Sequence, residues 1–139
     1  MADAFHPPNE ITLLVIAPGF AYFNPLRTPP HLWIVLTESN NDGDVVVVML
    51  TTLRERSDTT CILEAGEHPW LKHQTVAAYQ IAEWQSVDRL QLLIDQKMVH
   101  VQPPASAALL VKIQRGALSS PRTVPRVKTA VRRTLRSAE

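Results

Sequence analysis

The feature that most constrains this chain is the unbroken apolar run Val45-Val46-Val47-Val48-Met49-Leu50, closed by Thr51-Thr52. Four consecutive β-branched residues are stiff at χ1 and suit a pleated strand. A strand with one wet face alternates apolar and polar residues, so a run without alternation predicts cover on both faces. Upstream, Ser39-Asn40-Asn41-Asp42-Gly43-Asp44 is a dense turn signal, and Leu32–Thr37 before it is a second β-prone run. Together they predict a hairpin. A small closed or nearly closed barrel would cover both faces and also hide the strand edges.

Further elements follow from punctuation. Ile11–Ile16 reads as a buried strand, and residues 20 to 30, with Phe20, Tyr22 and Phe23 ahead of Pro25 and Pro29-Pro30, as a loop carrying aromatic contacts to the core. Thr60–Leu63 and Thr75–Ala82 suit strands, and Val99–Val101 is a short apolar stretch before Pro103-Pro104. Ser86 can cap a helix reaching Ile94, and Ser106 caps the clearest helix, 105 to 118, whose stripe is Leu109, Leu110, Ile113 and Leu118. A basic helix over 126 to 136 would carry Val127, Ala130, Val131 and Leu135 on one side. The expected class is mainly β with antiparallel strands and a C-terminal helix: one domain over 1 to 118, then a basic C-terminal tail over 119 to 139.

The chain's 45% apolar and 19% charged residues suit a globular core rather than disorder. The single cysteine, Cys61, cannot form an intramolecular disulfide, which points to a reducing, cytoplasmic setting. The N-terminus lacks a cationic leader and no apolar run is long enough to span a bilayer, so no membrane association is expected. The net charge of +1 conceals an asymmetry. Residues 1 to 114 are acidic overall, whereas 115 to 139 set Arg115, Arg122, Arg126, Lys128, Arg132, Arg133 and Arg136 against Glu139 alone. That tail reads either as a solvated, frayed terminus or as a contact for phosphates or an acidic partner.

The residues able to do chemistry gather between 31 and 80. Metal-independent RNA cleavage needs a base for the 2′-hydroxyl proton, an acid for the leaving oxygen, and cations or hydroxyls around the developing phosphorane charge. His31, His68 and His73 suit the proton roles, Thr51 and Thr52 supply hydroxyls, and Arg54, Arg56 and Lys72 lie in adjoining loops. Trp33, Trp70 and Trp84 could stack bases. Each has a structural alternative: a ring hydrogen-bonded to backbone, a strand-end threonine, a core indole. Cys61, His68 and His73 lack zinc-site spacing, and there is no glycine-rich phosphate loop, so neither metal nor cofactor is expected.

The layout over roughly residues 10 to 118 resembles the MazF/PemK/Kid family of toxins, with recognisable residues between 28 and 80. Thr28-Pro29-Pro30-His31-Leu32-Trp33-Ile34-Val35-Leu36-Thr37 looks like that family's loop and first apolar strand, and Val45 to Thr52 like its valine-rich strand ending in a hydroxyl pair. Trp70 to Tyr79 is similar to its strand of polar site residues. The resemblance implies an SH3-like barrel, a sequence-selective endoribonuclease active on RNA, a small antitoxin partner and a homodimer. It also implies phosphate contact by Thr51 and Thr52. The family's arginine beside proline becomes His31 or is displaced to Arg27, and its Arg-x-Asp pair becomes Ala77 and Tyr79. A catalytically silent barrel that binds nucleic acid or an acidic protein is therefore the alternative.

Overall fold

The computed structural model describes residues 15 to 26 and 30 to 138. Seven strands form one antiparallel sheet: β1 (Ala21–Phe23), β2 (Leu32–Val35), β3 (Asp44–Thr52), β4 (Ile62–Leu63), β5 (Thr75–Ala77), β6 (Glu83–Ser86) and β7 (His100–Gln102). Among the described residues three helices accompany it: α1 (Val87–Asp95), α2 (Ala107–Ser119) and α3 (Pro125–Ser137), with a 3-10 turn at Tyr79–Ile81. Among the described residues, no helix is long and apolar enough to cross a membrane.

The expected hairpin forms, with Leu32 opposite Leu50 and Val35 opposite Val47. Its turn is held by Asn40, whose Oδ1 accepts from the Asp42 and Asp44 amides at 2.9 Å, and by Gly43 at φ +79°. A left-handed residue there favours glycine because a Cβ would be strained. Strand β3 is the spine of the sheet. One edge pairs with β2, while the other is shared, Asp44–Val47 with β6 and Leu50–Thr52 with β5.

Val45, Val46, Val47 and Val48 are each 0% exposed, and strand alternation sends them to opposite faces. Val46, Val48 and Leu50 join Leu32, Ile34 and Leu36 in a cluster completed by Leu109, Ile113 and Ala117 of α2 and Val127 and Val131 of α3. Val45 and Val47 join Trp33, Val35 and Tyr22 in a second cluster, closed by Leu90 of α1 and Val99. Burial of each such side chain contributes about 1.5–3 kcal/mol.

Several expectations change. Among the described residues the strand pairing runs from β4 to β7 without joining them, so the sheet does not close, where a closed or nearly closed barrel was expected. Helices, rather than barrel closure, supply the two-sided cover that the valine run demands. The expected loop over 20 to 30 contains β1, because Tyr22 and Phe23 have strong strand preference and pair with Trp33 and Leu32. The expected strand Thr75–Ala82 stops at Ala77 and gives way to the 3-10 turn, and β6 follows it. Residues 11 to 14 of the expected first strand lie outside the described residues, and Val15 and Ile16 are not in a strand. Residues 125 to 137 are helical as expected but not a frayed tail, since Val127 and Val131 are buried in the core.

Both N-caps form: Ser86 Oγ accepts from the Arg89 amide and Ser106 Oγ from the Leu109 amide, each at 3.1 Å. Helix α2 packs closely at Gly116, where a Cβ would overlap the Tyr79 hydroxyl and lie 2.9 Å from Cys61 Cβ. That hydroxyl is fixed, donating to the Ile113 carbonyl at 2.7 Å. Burial raises the Tyr79 and Cys61 pKa values above their ordinary ranges, keeping both groups neutral.

Asp58 ties the β3–β4 loop to the corner between α2 and α3. It is buried and accepts hydrogen bonds from Ser120 Oγ at 2.5 Å, Thr60 Oγ1 at 2.6 Å and the Thr60 amide at 2.9 Å. Burial pushes its pKa up, but these bonds and the nearby Arg122 charge outweigh that and hold it below the ordinary value. A carboxylate with a lowered folded pKa stabilises the fold above its unfolded value, about 3.9, and loses that contribution as pH falls through the folded value.

Two measurements check this packing. Gly116→Ala should destabilise by about 1–3 kcal/mol, seen as a lower urea midpoint, because neither neighbour can yield freely. Wild type should lose stability more steeply than Asp58→Asn as pH is lowered through the acid range; parallel curves would disprove the Asp58 account.

Candidate active site

Beyond Leu50 the spine strand turns polar. The last paired residues of β2 and β3 are Leu32 and Leu50, so continuing the register sets His31 opposite Thr51. His31 Nε2 and Thr51 Oγ1 are 3.4 Å apart. On the other edge, Thr52 pairs with Thr75 of β5, and the chain leading into β5 brings His73 Nε2 to 2.8 Å from Thr52 Oγ1. Adjacent threonines thus each hold one imidazole, one from each flanking segment.

Both pairs line a single cleft of about 220 Å³, together with Pro30, Leu50, Arg54, Trp70, Leu71, Lys72 and Thr75. Among the described residues its lining contains two cations and no carboxylate, a setting suited to a phosphate group. A hydroxyl both donates and accepts, so each threonine can bond Nε2 whether or not that nitrogen carries a proton.

Trp70, 36% exposed, stands at the rim. It is backed by Phe23 at a centroid distance of 5.2 Å, and His100 stacks on Phe23 at 6.1 Å. A wider groove of about 550 Å³ adjoins, sharing Trp70, Lys72 and His73 and adding Pro69, Gln102 and Pro103. Phe23 and His100 were not singled out for this ledge by the sequence. The only available signal was an aromatic cluster in a segment that reads as loop.

The structure separates other candidates from the cleft. His68 is 2% exposed, and its Nε2 donates to the Pro103 carbonyl at 2.6 Å while Nδ1 accepts from the Trp70 amide at 2.9 Å. With both nitrogens engaged by backbone, it is a strut that fixes the segment carrying Trp70, Lys72 and His73. Arg56 is exposed and does not line the cleft; its carbonyl accepts from Arg122 Nη1 at 3.2 Å. Arg27 lies outside the described residues. Arg54 is positioned by a turn in which its amide donates to Ser57 Oγ at 2.8 Å. Trp33 is core, at 1% exposure. Among the described residues, no group of three or more His, Cys, Asp or Glu is arranged to hold a metal ion.

No family model matches this chain. No curated protein matches it either. Among solved structures, it is similar to an endoribonuclease in complex with its cognate antitoxin from Mycobacterial species. The two share 20% identity and a TM-score of 0.49, over 76% of this chain and 93% of that one.

The contrast between the two histidines is testable. His68→Leu should lower stability by about 1–3 kcal/mol, because the Pro103 carbonyl and Trp70 amide lose their partner. His73→Ala, at an exposed position, should leave the denaturation midpoint within about 0.5 kcal/mol of wild type.

Proposed function

We propose that the cleft is the active site of a toxin-like, metal-independent endoribonuclease. The observation that carries this reading is the convergence of two threonine-held imidazoles with Arg54 and Lys72 in one cleft, whose described lining has no carboxylate. The reaction is attack of a ribose 2′-oxygen on the adjacent phosphorus. One imidazole takes the 2′-hydroxyl proton, the P–O5′ bond breaks, and the other imidazole delivers a proton to the departing 5′-oxygen. The products are a 2′,3′-cyclic phosphate and a 5′-hydroxyl. Arg54 and Lys72 offset the charge that builds on the phosphorane, while Trp70 offers a face for a neighbouring base.

His31 and His73 are the residues assigned these proton roles, with Thr51 and Thr52 as their positioning partners. His68 has no part in the chemistry. The resemblance of residues 28 to 80 to the MazF/PemK/Kid pattern adds a small antitoxin that covers the cleft and a homodimeric assembly. These belong to the proposal and are tested by co-purification with the product of an adjacent gene and by light scattering.

The central experiment is induction in a bacterium with total RNA followed on gels. Wild type should arrest growth and fragment RNA, leaving cyclic phosphate ends; His31→Ala and His73→Ala should each lose about 100-fold or more in cleavage rate. Intact RNA under wild-type induction, with tight binding of RNA by purified protein, would instead favour a silent nucleic-acid-binding module.

A further inference from the structure

A second cationic surface lies at the other end of β3. Helix α3 carries Arg126, Lys128, Arg132, Arg133 and Arg136 and no Asp or Glu. None of the five forms an ion pair among the described residues. Lys128 and Arg132, and Arg132 and Arg136, stand four apart, where like charges destabilise a helix. The apolar side is used by the fold, with Val127 and Val131 buried and Thr134 Oγ1 accepting from the Glu38 amide at 3.0 Å. Arg126, Arg132, Arg133 and Arg136 are exposed, and their charges carry a repulsion that a polyanion would relieve.

Beside α3 runs a groove of about 270 Å³, lined by Arg126, Thr129, Ala130 and Arg133 on the helix and by Asn40 and Trp84 opposite. Arg126 and Arg133 are two turns apart, about 10 Å along the axis. A guanidinium fork matches phosphate oxygens, and an indole offers a stacking face for a base. That combination fits a nucleic acid strand, whose phosphates meet the two guanidinium groups while a base meets the Trp84 ring. The half-buried Trp84 sits on β6 opposite Val46, and Asn40 anchors the turn at Asp44, so this groove lies at the start of β3. Thr51 and Thr52 lie at its end, about 25 Å away at the usual strand rise.

We propose that the groove between α3 and the Asn40 turn is a second binding site for single-stranded RNA, gripping a strand through phosphates and a stacked base at a distance from the cleft. The proposal rests on the nuclease reading only for the identity of the site at the other end of the strand. Short RNA filling the cleft cannot reach the groove, whereas a long strand can occupy both.

The test uses the full chain and non-cleavable 2′-O-methyl RNA in two lengths, a labelled strand able to span both sites and a trinucleotide. Arg126→Gln combined with Arg133→Gln should weaken binding of the long strand about tenfold and reduce the salt-dependence slope by about 1.4, the value for two lost phosphate contacts. Trinucleotide binding should not change. Unchanged affinity and slope for the long strand would overturn the proposal. So would an equal loss in the control Arg89→Gln with Arg115→Gln, exposed positions on α1 and α2, or displacement of the strand by polyglutamate as readily as by unlabelled RNA. Groove-dependent binding without cleavage of ordinary RNA would leave this site standing and remove the nuclease reading. Cleavage that is indifferent to the groove variants, with unchanged binding, would do the reverse.

Discussion

The burial of β3 on both faces is the constraint on which the rest of the structure depends. Its four central valines see no solvent, so apolar cover must come from two directions at once. Helix α1 closes one side, and α2 with α3 closes the other. Neither layer can be lost without exposing half of the spine, and this is why a segment that looks like a basic tail is part of the core. Sharing one edge of β3 between β6 and β5 leaves few ladder groups unpaired along a strand that lies in the middle of everything.

The same strand also decides where polar chemistry can occur. Thr51 and Thr52 are the first residues of β3 beyond its two-sided apolar cover, and their hydroxyls meet imidazoles supplied by segments that the sheet register fixes. Precision in such a site comes from what holds the loops. His68 clamps the segment bearing Trp70 and His73 to Pro103, and Asp58 clamps the loop that follows Arg54 to the α2–α3 corner. Buried hydrogen bonds of this kind act on the site by limiting where its side chains can go, without touching anything that enters the cleft.

Charge is distributed along the same axis. The cleft at one end of β3 contains Arg54 and Lys72, and α3 presents its arginines beside the turn at the other. The acidic balance of residues 1 to 114 therefore coexists with two separate cationic regions. Net charge near zero hides this arrangement because attraction of a polyanion depends on local potential and not on the sum.

The sequence by itself determined the local elements. Valine stiffness and a dense turn signal specify the hairpin, and Ser86 and Ser106 specify two helix starts, because these depend on neighbours within a few residues. It also pointed to His31, Thr51, Thr52, Arg54, Trp70, Lys72 and His73, residue types that suit phosphate chemistry, although nothing in their spacing shows that they share one cleft. Tertiary structure decided the remainder. An unbroken apolar run demands two-sided cover but does not say whether strands or helices provide it, and here helices do, leaving an open sheet. His68 and His73 are equivalent as letters; burial against Pro103 makes one a strut, and the other stays exposed beside Thr52. The cationic tail became a docked helix for the same reason: burial of Val127 and Val131 depends on contacts with residues some eighty positions away in the chain, which no local pattern encodes.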